Sequence, residues 1–377
     1  MAEPHIALVT NVLAHYRVPC FETLAERWPG HIDFFLLADS MAHRNYVLAS
    51  EGSTFPVRIL RGKAFGNPPD DDVHLNNVLP VLLNHDLIVL GGWAEPSYLL
   101  LWALAQLSGK RVAFWMESTR EDLTRPNWKE SLKKFLLAHS VGVVAASTRA
   151  AEYCELLGMP RGKIFYAPNA VNTAYFRHQA AMLVPQRAAL RRELGMDRIT
   201  ILFVGRMVEF FKNVSTLLRA QQILENRNVP IELRLIGEGP DRRAYEAFAQ
   251  ELKLRHVRFE NFMAHDTLCC FYAAADVFVL PSRSETWGFV LNEAMEFGLP
   301  IVVSNAVGAA PDLVCDGVNG FVVPPMDASA LALRLEELTM NSALRERMGI
   351  AARQHIAAFT PDAWADGFTH ALKVMSA

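Results

Sequence analysis

The run Leu87-Ile88-Val89-Leu90 is apolar at every position, and this pattern limits the fold more than any other feature of the chain. A strand with one wet face alternates apolar and polar residues, whereas a strand buried on both faces does not. Short β-rich runs of this kind recur with helix-length segments between them. In the first half they are Ile6–Asn11, Ile32–Leu37, Val57–Leu60, Leu87–Gly91, Arg111–Met116, Val141–Ala146 and Lys163–Ala167. In the second half they are Ile199–Val204, Glu232–Ile236, Val257–Glu260, Val277–Leu280, Ile301–Ser304 and Phe321–Val323. Strands alternating with helices predict doubly wound α/β layers around parallel sheets, and the right-handed crossover rule leaves few topologies.

The 377 residues suit two domains, at a prior of roughly 150 residues each. Asn172–Arg198 lacks a clear strand and leads into a fresh one, so the boundary falls there. The reading is residues 1–175, residues 176–360, and a last helix over 361–377 that packs back on the first domain. That tail carries apolar positions Ala363, Trp364, Phe368, Ala371, Leu372 and Val374.

A net charge of -3 offers no global basic field for nucleic acid. Five cysteines without CxxC spacing argue against a disulfide framework or zinc site and fit a reducing, cytoplasmic compartment. No basic segment followed by an apolar core opens the chain, so no signal peptide is expected. Within Val78–Leu107, the most apolar segment, Asn84, His85, Asp86 and Glu95 interrupt any single span. The expectation there is strand, loop and buried helix.

Four stretches carry the chemistry. Ser282-Arg283-Ser284-Glu285-Thr286-Trp287-Gly288-Phe289 follows a buried strand and opens a helix. Gly288 allows close backbone approach, and the helix N-terminus offers unpaired N–H groups to phosphate. Glu285 falls in the loop and Glu293 on the second helical turn; a carboxylate accepts two hydroxyl hydrogen bonds, which suits a sugar or ribose diol. The second stretch is Gly205-Arg206, with Lys212 six residues past the arginine. Both cations emerge at the carboxyl end of a strand, where ligands of open α/β sheets bind, and together they can neutralise a diphosphate without a metal. Gly237-Glu238-Gly239-Pro240 is the third, weak when taken alone. The fourth, Asn305–Asp312 followed by Asp316–Phe321, closes the same crevice. Asp70-Asp71-Asp72 follows two prolines and reads as a solvated turn rather than a metal site.

In order and position these four stretches resemble the family-4 glycosyltransferases of the GT-B fold, from about Ile199 to Val323. The resemblance implies two Rossmann-like doubly wound parallel-sheet domains facing across a cleft. It implies a retaining transfer of a sugar from a nucleotide-diphosphate donor, with uridine favoured, to a glycan, lipid-linked or small-molecule acceptor, as in polysaccharide biosynthesis. The nucleotide sugar is a co-substrate, and no cofactor or metal is called for. By the resemblance, Arg206 and Lys212 hold the diphosphate, Glu285 contacts the transferred sugar and Glu293 holds the ribose. The backbone at Trp287, Gly288 and Phe289 faces the phosphates and sugar, with Gly237 and Phe262 on the donor side. Asn213 after Lys212, Asn261-Phe262 after the Phe259-Glu260 strand end, and Asp312 depart from the family pattern.

The first half resembles a subgroup with a Tyr-Arg-x-Pro motif, here Tyr16-Arg17-Val18-Pro19. Asn11, His15, Arg17, Glu117 and Trp93 are its acceptor or cleft candidates, with Trp115 a sugar-stacking face. The bland alternatives are local capping for His15 and Arg17, and core or rim positions for Trp93, Trp115 and Trp128. The amphipathic stretch Arg125–Leu137 reads as a helix on the sheet with a wet basic face; its sharper reading is peripheral contact with anionic lipid at the inner face of a membrane.

Glu285 and Glu293 are eight positions apart, which is roughly 12 Å of rise on one helix. A covalent double displacement wants carboxylates about 5 Å apart, so front-face attack is the favoured mechanism. A nucleotide-sugar-binding protein without transfer and a GT-B nucleotide-sugar epimerase are the rival functions. A dinucleotide-dependent dehydrogenase is the rival on the same fold, but no GxGxxG follows the first strand.

Overall fold

The structure, a computed structural model, describes residues 4–38, 54–65, 73–122 and 126–377. Asp70–Asp72 and Arg125 lie outside the described residues. The chain divides into two compact units. One comprises Met1–Arg120, Thr124–Val171 and Thr360–Ala377; the other comprises Glu121–Leu123 and Asn172–Phe359.

The first unit is built on strands β1 (Ile6–Thr10), β2 (Ile32–Leu36), β3 (Val57–Ile59), β4 (Gly62–Phe65), β5 (Val73–Asn76), β6 (Leu87–Leu90), β7 (Arg111–Met116), β8 (Gly142–Ala145) and β9 (Ile164–Tyr166). Seven form a parallel sheet in the order β3-β2-β1-β6-β7-β8-β9. Both of its faces are covered. Ile6, Leu8, Leu87 and Val89 point into one apolar core, and Ala7, Val9, Ile88 and Leu90 into the other. Such residues have no wet face to present, which is why the runs do not alternate.

β4 and β5 form an antiparallel hairpin outside this sheet, which the sequence reading did not include. It is largely exposed, and a buried polar anchor holds it. Asn76 Nδ2 donates to the carbonyls of Leu37 and Leu60 at 2.9 and 2.7 Å, and its N–H donates to Ser97 Oγ at 2.8 Å.

The last helix, Pro361–Ser376, belongs to this first unit. Trp364, Phe368 and Leu372 are fully buried and join the core containing Phe21 and Trp115. The Trp364 ring lies 5.8 Å from Phe21 and 5.6 Å from Trp115.

The second unit carries β10 (Ile199–Val204), β11 (Ile231–Ile236), β12 (Val257–Glu260), β13 (Val277–Leu280), β14 (Ile301–Ser304) and β15 (Gly320–Val323). They form a parallel sheet in the order β12-β11-β10-β13-β14-β15. Strand order reverses between β10 and β13, and a crevice opens at the carboxyl ends of strands where this happens. Among the described residues no helix is long and apolar enough to cross a membrane.

Candidate functional site

Glycines bring the strand ends of the second unit together. Gly237, at φ +143°, follows β11, and a Cβ there would collide with the carbonyl of Gly205 after β10. A Cβ on Gly239 would strike the Met207 carbonyl, and Met207 N–H donates to the Glu238 carbonyl at 2.8 Å. The two turns thus touch backbone to backbone, as only glycine allows.

Past Gly205, Arg206 is exposed. The chain then forms the short helix Glu209–Lys212, whose first N–H donates to Asp241 Oδ2 at 2.7 Å. It ends at Asn213 in the left-handed region, φ 53°, where asparagine is the best tolerated side chain after glycine. Asn213 also uses its amide, donating to the Pro281 carbonyl at 3.0 Å. The N–H groups of Arg283 and Ser284 donate to the Phe211 carbonyl at 2.9 and 3.3 Å. The loop after β13 is thereby fixed to the loop after β10.

This stitching brings Lys212 and Glu285 together as an ion pair, the ammonium on Glu285 Oε2. The side chains are 16% and 19% exposed, so the pair is shielded yet reachable. Lys212 also runs over Gly205, where a Cβ would meet its Cε at 3.4 Å. The Glu285 backbone is held from β14's loop, with its carbonyl accepting from Gly308 N–H at 2.8 Å.

Gly288, at φ +102°, caps the helix Phe289–Glu296. Trp287 is buried, and its Nε1 donates to Asn292 Oδ1 at 2.8 Å. Its ring is therefore part of the interior. Glu293 is buried on the same helix. Tyr272 donates to its Oε2 at 2.7 Å, while Oε1 is 3.9 Å from His265 Nε2. Burial pushes the Glu293 carboxyl up to about 7 against the Tyr272 hydrogen bond. Phe262 is exposed on the loop after β12. Beside it, an open hollow of about 540 Å³ is lined by Glu238, Gly239, Arg243 and Asn261. Lys212 and Glu285 do not line this hollow.

Tyr272, His265 and Asn292 were not read as site residues from the sequence. Tyr272 falls among the apolar residues of the helix His265–Ala274, where a tyrosine reads as core.

In the first unit, Asn11 follows β1. Its Nδ2 donates to Glu95 Oε1 at 3.4 Å, and its Oδ1 accepts from Tyr98. Arg17 is buried; it pairs with Glu117 after β7 and donates to Asn169 Oδ1 at 3.3 Å. Asn169 Nδ2 donates to the same Glu117 oxygen, Oε1, at 2.9 Å. Arg17 and Glu117 therefore come together, joined by Asn169, which the sequence reading passed over. His15 is exposed, edge-on to Tyr16 at 5.4 Å.

One aromatic expectation needs correction. Trp115 is no sugar platform: it is 3% exposed in the core, and the Arg17 guanidinium covers its ring at 4.0 Å. Trp93 is half-buried, with the Lys133 ammonium 5.0 Å from its ring centre. The basic face of the helix Asn127–Ala138 is correspondingly smaller than its sequence suggests. Lys133 points inward to Glu130 and Tyr153, at 2.8 and 2.6 Å.

Comparison with known proteins adds to this geometry. Residues 186–355 match the family described as glycosyl transferases group 1. An uncharacterized glycosyltransferase of Methanocaldococcus jannaschii is 32% identical over 208 residues, covering 54% of this chain and 52% of that protein. D-inositol 3-phosphate glycosyltransferase of Streptomyces griseus is 36% identical over 202 residues, covering 49% and 42%. Phosphatidyl-myo-inositol mannosyltransferase of Mycobacterium leprae is 32% identical over 268 residues, covering 68% and 65%. The chain spans about half the length of the first two relatives. Among solved structures, Anabaena Alr3699/HepE in complex with UDP and glucose superposes with a TM-score of 0.75 at 18% identity, covering 98% of this chain and 100% of that one. The fold is therefore GT-B, with its two parallel sheets of seven and six strands.

Proposed function

The second unit belongs to the glycosyl transferases group 1, and from that premise we propose that this chain moves a sugar from a nucleotide-diphosphate donor to an acceptor hydroxyl with retention of configuration. The observation that carries the reading is the Lys212–Glu285 pair beside the switch point of the sheet. Bond breaking leaves negative charge on the diphosphate and positive charge on the anomeric carbon. An ammonium has three donors; one serves Glu285, and two are left for phosphate oxygens. Arg206 and the N–H groups opening the helix Phe289–Glu296 add to that stabilisation. Glu285 holds hydroxyls of the transferred sugar, and Glu293 holds the ribose.

Glu285 is engaged by Lys212 and Glu293 by Tyr272. Neither carboxylate stands as a free nucleophile, which supports front-face attack with the departing phosphate taking the acceptor proton. Uridine is the proposed base, by likeness to the Anabaena protein solved with UDP. The acceptor is a glycan, a lipid-linked sugar or a small polyol, met at the Asn11, Arg17 and Glu117 edge of the first unit. Cys20, Cys154, Cys269, Cys270 and Cys315 are all free thiols, which supports a cytoplasmic setting.

Thermal-shift titration with nucleoside diphosphates, followed by nucleotide release from their sugars, tests the reading. A raised midpoint and turnover are expected; no shift with any diphosphate defeats it. Trp128 and Phe135 are exposed on the helix that carries Lys129 and Lys134, and this supports contact with an anionic membrane. Failure to pellet with anionic vesicles at low salt rules that contact out.

A further inference from the structure

Glu293 has two oxygens in different circumstances. Oε2 accepts from the Tyr272 hydroxyl at 2.7 Å, inside the core. Oε1 faces His265 Nε2 across 3.9 Å. That gap is too long for a direct hydrogen bond, but one oxygen about 2.8 Å from each atom fits across it. The two side chains also differ in access. Glu293 is 9% exposed and His265 41%, so a ligand reaches the pair from the histidine side. The helix His265–Ala274 supplies both Tyr272 and His265, so both residues that face the Glu293 carboxylate come from one element.

We propose that His265 completes the ribose subsite, with one ribose hydroxyl donating to Glu293 Oε1 and accepting from His265 Nε2–H. The proposal rests on the sugar-transfer reading and adds a residue and a selectivity to it. A neutral imidazole donates from one ring nitrogen, and burial holds His265 below its ordinary value, on the neutral side at pH 7. The hydroxyl then has both a donor and an acceptor, an arrangement that a deoxyribose carbon cannot reproduce. The subsite therefore prefers ribonucleotides.

Calorimetric titration of the whole chain with UDP, GDP and ADP, and with their 2′-deoxy and 3′-deoxy forms, tests this. One deoxy form of the diphosphate that binds should lose about tenfold or more, the scale of a charge-assisted hydrogen bond. His265→Ala should lose affinity for the ribonucleotide and lose nothing further on that deoxy form. His265→Gln, which keeps an N–H at similar reach, should recover part of the loss. A wild-type affinity in His265→Ala, or an unchanged ribose preference, overturns the proposal while leaving diphosphate binding intact. If the folded wild type binds no nucleoside diphosphate, the sugar-transfer reading falls, and the ribose subsite falls with it.

Discussion

Lys212 and Glu285 form an ion pair, and their separate contributions can be divided by substitution. Glu285→Gln keeps the shape and removes the charge. Sugar transfer should be abolished, while nucleoside diphosphate affinity stays near wild type, since the diphosphate contacts come from Arg206, Lys212 and the helix N-terminus. Unchanged turnover would remove Glu285 from the site. Arg206→Ala should weaken diphosphate binding by about tenfold or more, the loss of one charge-assisted contact, and calorimetry reads it directly.

Glu293 gives a pH prediction at the same scale. Its carboxyl is raised to about 7 from an ordinary 4.5 by burial. A ribose hydroxyl donates to the ionised form, so diphosphate affinity should fall as pH drops below about 7, and Glu293→Gln should flatten that dependence. An equally steep profile in Glu293→Gln would assign the effect to the nucleotide phosphate instead. For stability the sign is opposite. Between 4.5 and about 7 the folded state binds the proton and the unfolded state does not, so stability falls as pH rises. That contribution is present in full below 4.5 and lost above about 7. Charged residues at strand ends were legible in the sequence because turns and flanking strands frame them, but the pairing of Lys212 with Glu285 and of Arg17 with Glu117 was not. Tyr272 and Trp115 were not, because an aromatic that grips a functional group and one that fills a core read alike.

At the scale of elements, the two sheets were readable from their two-sided burial. β1 divides its residues between two cores, Ile6 and Leu8 against Ala7 and Val9, as a strand in a sheet covered on both faces must. The hairpin β4–β5 left no such mark. Its strength lies in Asn76, whose side chain satisfies two carbonyls from other segments, and long-range polar contacts have no periodicity. The site loops depend on glycine in a way that can be tested. A Cβ on Gly308 would collide with the Thr286 carbonyl in the loop that carries Glu285. Gly308→Ala should therefore displace that loop, reducing turnover more than it lowers the melting temperature. Wild-type turnover in Gly308→Ala would mean that the loop yields without moving Glu285.

At the scale of the molecule, chain order and contact order disagree. The last segment, Thr360–Ala377, belongs with the first unit although the whole second unit lies between them in sequence. Its helix contributes Trp364, Phe368 and Leu372, all fully buried, to a core shared with Phe21 and Trp115. Losing one large buried aromatic costs about 3–5 kcal/mol, and a domain is stable by only about 5–15 kcal/mol. Deleting residues 360–377 should thus unfold the first unit. Asn172–Phe359 keeps its own six-stranded sheet and its Lys212–Glu285 pair. The truncated chain should therefore retain a calorimetric transition that UDP raises, while the transition of the first unit and all sugar transfer disappear. Loss of both transitions would show that the second unit depends on the first for its folding, and two surviving transitions would show that the helix is dispensable to the core it fills.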